Sequence, residues 1–193
     1  MPVRAWRRMR GLALMAVGLA GAALLISCGS EEPAPGPRAA AFARWLQEQQ
    51  QALAAELAPA LERKDPAAIQ AVLARAFRRA AARGRPLPGV GVLDAEGVYL
   101  AGRYQEPGRP RGVADRDTHR DYGNYRMIKQ VREGAAAATG KVYFPEGPAY
   151  LAAFALRRGG RLLGVLVFAF EARDLKHLGG ITPREFLALK LAP

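Results

Sequence analysis

Cysteine occurs once in the 193 residues, at Cys28, and histidine twice, at His119 and His177. A lone thiol cannot close an intramolecular disulfide, and it cannot build a cysteine-based zinc site. The histidines are far apart and neither has a ligand partner at motif spacing, so no metal and no cofactor is implied. Nor does the chain contain a nucleophile elbow, a phosphate-cradling loop or a haem attachment site. Gly89-x-Gly91 is not a dinucleotide fingerprint, because no helix with a third glycine follows it. Scattered carboxylates such as Asp94 and Glu96 are explained by the turn they form. These absences argue against an enzyme.

Acidic residues are missing from the first ten positions, which hold Arg4, Arg7, Arg8 and Arg10, and an uncharged run rich in Leu, Ala and Val follows from Gly11 to Ile26. This is the pattern of an export signal. A permanent anchor competes with it, since the apolar run is only slightly shorter than the ~20 residues that span a bilayer. Leu25-Ile26-Ser27-Cys28 decides between them, because it resembles a bacterial lipobox, in which the cysteine is diacylated before cleavage. The resemblance implies a signal peptide over 1–27 and a membrane anchor at lipidated Cys28. Gly29 follows the cysteine, where an aspartate would suggest inner-membrane retention. The expected location is therefore the cell envelope, on the periplasmic face of the outer membrane if the cell is diderm.

Without the four leader arginines, 25 basic residues stand against 17 acidic ones, a net charge of +8. Such an excess suits nucleic acid, anionic lipid or polysaccharide equally. Export and the absence of a nucleic-acid-binding motif exclude the first.

Residues 28–37 hold three prolines in SEEPAPGP and read as a flexible tether. With 50% hydrophobic residues, the remaining 38–193 can bury the core of one domain. Phe42, Leu46, Leu53 and Leu57 fall on one helical stripe beside Trp45, and Pro59 is expected to end or kink that helix. Asp65 and Pro66 open a second helix with the stripe Ile69, Val72, Leu73, Ala76 and Phe77. Arg75, Arg78, Arg79 and Arg83 form its solvated face. Val90 to Arg103 reads as a hairpin turning at Asp94-Ala95-Glu96-Gly97. Tyr104 to Asp117 is a long irregular stretch, and a helix is expected from about Thr118 to Glu133.

Lys141 to Glu171 then gives three strands, turning at Glu146-Gly147-Pro148 and at Gly159-Gly160, where two glycines suit a two-residue hairpin loop. The last strand is apolar on both faces. Leu162, Leu166, Phe168 and Phe170 are expected to point one way and Leu163, Val165 and Val167 the other, so each face of the sheet needs a cover. Thr182-Pro183-Arg184-Glu185 is a capping box opening a short final helix.

The segments VGVLDAEGVYLAGR, RDYGNYRMIKQVREG, GKVYFPEGPAYLAAFAL and GGRLLGVLVFAFEARDL, in this order after two helices, resemble the extracytoplasmic Cache sensor domains, relatives of PAS domains. The resemblance implies an α+β fold with a five-stranded antiparallel sheet, the N-terminal helices on one face and the 104–134 segment on the other, enclosing a small ligand. The arginine, tryptophan and tyrosine motif of the amino-acid-binding members is not visible. Candidate pocket residues are Tyr122, Tyr125, Arg126, Tyr143, Tyr150 and Phe154, with plain core or sheet surface as the alternative for each. A buried arginine among tyrosines would favour a small carboxylate. Since the chain carries no recognisable output module, such a sensor would bind its ligand alone or hand a signal to a partner protein. The competing function is an envelope interaction lipoprotein with no pocket.

Overall fold

The computed structural model describes residues 36–106, 109–112, 120–144 and 147–191; the lipobox and Cys28 lie outside them. The first helix, α1 (Pro37–Glu62), runs through Pro59 instead of ending there. Proline removes a backbone donor to the residue four positions back, but Ala55 and Pro59 are both exposed, so water can hydrate the freed carbonyl. The second, α2 (Pro66–Ala82), starts where expected, because the Asp65 carboxylate accepts the Ala68 N–H at 3.0 Å. Every residue of its apolar stripe is buried. Arg75 and Arg79 are not merely solvated, since both pair with Glu56 of α1.

Six antiparallel strands follow: β1 (Gly89–Asp94), β2 (Tyr99–Glu106), β3 (Arg109–Gly112), then, after α3 (Arg126–Arg132), β4 (Ala137–Phe144), β5 (Gly147–Arg158) and β6 (Arg161–Phe170). Their order in the sheet is β3-β2-β1-β6-β5-β4. The five expected strands are all there. The sixth, β3, falls in the stretch expected to be irregular, where Arg103 to Glu106 pairs with Arg109 to Gly112. The β5–β6 turn has Gly159 and Gly160 at φ +56° and +79°, conformations that only glycine adopts freely, and Arg158 pairs with Arg161 across it. A short α4 (Ala172–Asp174) leads into a π-helical turn (Leu175–Gly179) and then α5 (Pro183–Leu187). The Thr182–Glu185 capping box is formed in both directions.

The sheet has a core on each face. On one, α1, α2 and α5 bury Phe42, Leu46, Leu57, Ile69, Leu73 and Phe186 against Leu166, Phe168 and Phe170 of β6. The Phe42 ring meets Phe170 edge-on at 5.5 Å, and Phe154 meets Phe168 at 5.9 Å and 88°. On the other, Met127, Ile128 and Val131 of α3 cover Leu93, Val142, Leu151, Ala153, Val165 and Val167. Leu163 does not share the face of Val165 and Val167. Leu156 pairs with Gly164 and Arg157 with Leu162, which leaves Leu163 as the extra residue of a β-bulge that packs with the helix-side core.

Candidate functional site

The turn between β1 and β2 organises the α3 side of the sheet. The Asp94 carboxylate accepts the N–H groups of Glu96 at 3.0 Å and Val98 at 2.9 Å, while Gly97 takes φ +92°. Gly97 also lies so close to the Gly123 backbone that a side chain would not fit. Its carbonyl accepts the Tyr122 N–H at 2.9 Å, and the Arg120 carbonyl accepts the Tyr99 N–H at 2.9 Å. Asp121 bonds the Gly123 N–H at 2.7 Å, the local turn that short carboxylates favour. From α3 the Arg132 guanidinium donates to the carbonyls of Ala95, at 3.2 Å, and Gly123, at 3.4 Å. From the helical side, Lys64 reaches Asp94 at 3.5 Å and Glu96 at 3.3 Å, and the Glu96 hydrogen bond lifts the Lys64 ammonium above the usual lysine range.

Three tyrosines are brought together by these ties. Tyr99 and Tyr122 have ring centroids 6.0 Å apart, and Tyr122 stacks on Tyr125 at 5.5 Å and 27°. The Arg120 guanidinium lies 5.3 Å from the Tyr122 ring. Tyr99 is buried, whereas Tyr122 and Tyr125 are half-buried. An open polar depression of about 420 Å³ lies close by, lined by Ala95, Gly123, Asn124, Lys129, Arg132 and Glu133.

The structure divides the six residues selected from the sequence between the two faces. Tyr122 and Tyr125 are on the α3 side, in contact with each other. Arg126 opens α3 but is exposed, so the buried arginine from which a carboxylate ligand was expected is not at this position. Tyr143, Tyr150 and Phe154 are on the helix side, and they do not line a cavity with Tyr122 and Tyr125. The register accounts for this: Tyr150 pairs with Phe170 and Phe154 with Leu166, so both share the face of the helix-side core. Tyr143 pairs with Pro148, two positions beyond the Lys141–Tyr150 pair, and the residue is 74% exposed, its ring 4.5 Å from the Lys141 ammonium.

Sequence reasoning missed Tyr99 and Arg120. Tyr99 had a signal in the strand glycines, since its ring touches the position of Gly91 and its hydroxyl lies where a side chain on Gly102 would stand. Thr118 and His119, where the expected helix was to begin, lie outside the described residues; within these the helix is one of two turns beginning at Arg126, because the backbone of 120–122 is committed to Gly97, Val98 and Tyr99.

No family model and no curated protein matches the sequence. Solved structures do match in fold. The extracellular domain of the histidine kinase vpHK1S-Z8 is similar at a TM-score of 0.59 and 13% identity, covering 78% of this chain and 58% of that one. A domain of a sensory box/GGDEF family protein from Vibrio parahaemolyticus is similar at 0.56 and 12%, covering 76% and 60%. The ligand-binding domain of the Campylobacter jejuni chemoreceptor Tlp3, in complex with 4-methylisoleucine, is similar at 0.52 and 15%, covering 76% and 57%. The chain thus spans under two thirds of the length of each. The α+β architecture is that of the Cache/PAS-like sensor domains.

Proposed function

We propose that this chain is a lipid-anchored, extracytoplasmic, sensor-like domain that binds a small molecule on the α3 side of its sheet. The observation that carries the reading is the cluster of Tyr99, Tyr122 and Tyr125 with Arg120 over Tyr122, at the edge of a helix that covers the sheet. Half-buried aromatic faces with a guanidinium and phenolic oxygens nearby suit a ligand with an apolar body and a polar or anionic end. The likeness in fold to a chemoreceptor domain that holds 4-methylisoleucine supports the same reading. The anchor is diacylated Cys28, which would hold the domain at the envelope. Tyr122 and Tyr125 are the ligand contacts in this reading, with Arg126 at the rim.

A second reading, an envelope interaction lipoprotein with no pocket, draws on the packing beneath α3. Met127 fills the space over Gly140, and Ile128 and Val131 are fully covered. Binding in the first reading therefore takes place at the tyrosine end of α3 and not beneath its centre.

A crystal structure of the protein purified without added ligand tests the proposal. Density against Tyr122 and Tyr125 identifies a co-purified ligand. An α3 side packed solid at those rings, with no small molecule released on denaturation, favours the interaction lipoprotein.

A further inference from the structure

Cations gather at one end of the domain. Arg38, in the first turn of α1, lies beside Gly180, its Cδ 3.5 Å from where a Cβ would stand. Gly180 closes the π-helical turn bearing Lys176 and leads into α5, which bears Arg184; Arg38, Lys176 and Arg184 are all exposed. The acids of this stretch are engaged locally. Glu171 pairs with Arg173 at 2.8 Å, Asp174 accepts the Glu171 N–H at 2.8 Å, and Glu185 accepts the Thr182 N–H at 2.7 Å.

An amphipathic ridge borders this end. The Thr139 hydroxyl donates to the Leu187 carbonyl at 3.2 Å, which ties α5 to β4, an edge strand of the sheet. Lys141 and Tyr143 follow at alternate positions on the same face of β4, with the Lys141 ammonium 4.5 Å from the Tyr143 ring and 5.8 Å from the Tyr150 ring. Tyr150 in turn meets Phe186 of α5 at 6.3 Å. Leu187 is 41% exposed and Tyr143 74%, two of three large apolar side chains so exposed among the described residues. A tyrosine and a leucine flanking lysine and arginine are the composition of a membrane–water interface, where the ring lies among headgroups and the cations meet lipid phosphates. A second copy of the chain suits the ridge less well, because a two-fold contact would set two copies of one cation-bearing patch against each other.

Chain length supplies the remaining constraint. Eight residues lie between Cys28 and Pro37, a span of nine Cα–Cα steps. Nine such steps reach at most about 30 Å. An anchor at Cys28 therefore keeps the start of α1, and the cations around it, close to the lipid surface.

We infer that this end docks on the anionic phospholipid bilayer that carries the anchor, with Tyr143 and Leu187 in the headgroup layer and Arg38, Lys141, Lys176 and Arg184 on lipid phosphates. The inference rests on the lipid-anchor reading made above. Docking would fix the orientation of the domain on the membrane instead of leaving it free on its tether.

The test uses the full-length chain carrying Tyr143→Trp, purified from the membrane fraction and reconstituted into vesicles of phosphatidylcholine, alone or mixed with phosphatidylglycerol, with brominated acyl chains as quenchers. The chain without the substitution corrects for Trp45, which is buried. Quenching of the new indole is expected in the phosphatidylglycerol vesicles, with loss at high salt as the charges are screened. Lys141→Glu should lower the docked-to-free ratio by at least about fivefold, the worth of one cation near an anionic surface. Flotation with both vesicle types but no quenching in either would overturn docking and leave the anchor standing. Failure to float with phosphatidylcholine vesicles would overturn the anchor reading, and tethered docking with it. Emission that responds to protein concentration and not to brominated lipid would assign the ridge to a second copy and overturn the inference.

Discussion

Met127 of α3 seats its side chain on the bare backbone of Gly140 in β4, so close that a Cβ on Gly140 would overlap the Met127 methyl group. The cover of the sheet is thus fitted to a missing side chain. Gly140→Ala is expected to destabilise the fold by about 1 kcal/mol, because the terminal methyl of a flexible but buried side chain must move aside. The Met127→Ala change alone removes a buried side chain, yet it should relieve part of the Gly140→Ala penalty when the two are combined. Urea titrations of the parent, both single variants and the double variant measure that coupling; simple additivity would show that the contact is not what sets the cover.

Phe168 is fully buried between Phe154 and the helices, so Phe168→Ala should cost about 3–5 kcal/mol, a large part of the stability of a domain this size. Arg78 is exposed on α2, and Arg78→Ala should change stability by less than about 0.5 kcal/mol. The two midpoints in urea give the comparison, and equal losses would contradict the assignment of strand and helix faces.

The Glu185 carboxyl is held below the usual carboxylate range by the Thr182 backbone N–H and then by the Thr182 hydroxyl. A depressed folded-state value means that the cap contributes stability above the unfolded-state value and loses it as pH falls through the folded one. The stability difference between the parent and Glu185→Gln should therefore be largest near neutral pH and shrink in acid. A difference that stays constant down to strong acid would show that the charge of Glu185 does not hold the cap.

The proposed lipid anchor makes its own prediction. The mature protein should begin at a diacylated Cys28, and Cys28→Ala should accumulate as uncleaved precursor. Intact-mass analysis of the membrane fraction checks both; an unmodified Cys28 there would remove the anchor.

Much of this architecture could be read from local chemistry. Asp65, the Asp94–Gly97 turn, Gly159-Gly160 and the Thr182–Glu185 box each carry their own hydrogen bonds or φ preferences, and all four form where the sequence puts them. Period-two alternation in β5 is kept as well, with Tyr150 and Phe154 in one core and Leu151 in the other. What alternation cannot say is which cover a face will meet. That is decided by pairing across the sheet and by the helices, and it sent Tyr143, Tyr150 and Phe154 to the helix side. Leu163 changed face because a bulge inserts one residue, which no period-two pattern reveals. The helix before Arg126 was lost to long-range backbone bonds from 120–122 to the β1–β2 turn. Tyr125 is the N-cap residue of α3, which sets it beside Tyr122 at the start of the helix.

Binding on the α3 side is tested most directly by thermal shift with a panel of small organic acids, amines and amino acids, run on the parent, Tyr122→Ala and Tyr143→Ala. A ligand at a hundred times its dissociation constant should raise the unfolding free energy by about 2.7 kcal/mol. The stabilisation is expected to disappear in Tyr122→Ala and to persist in Tyr143→Ala, since Tyr143 stands on the opposite face. No shift across the panel, or a shift lost with Tyr143 and kept without Tyr122, would contradict a ligand site at the tyrosine end of α3.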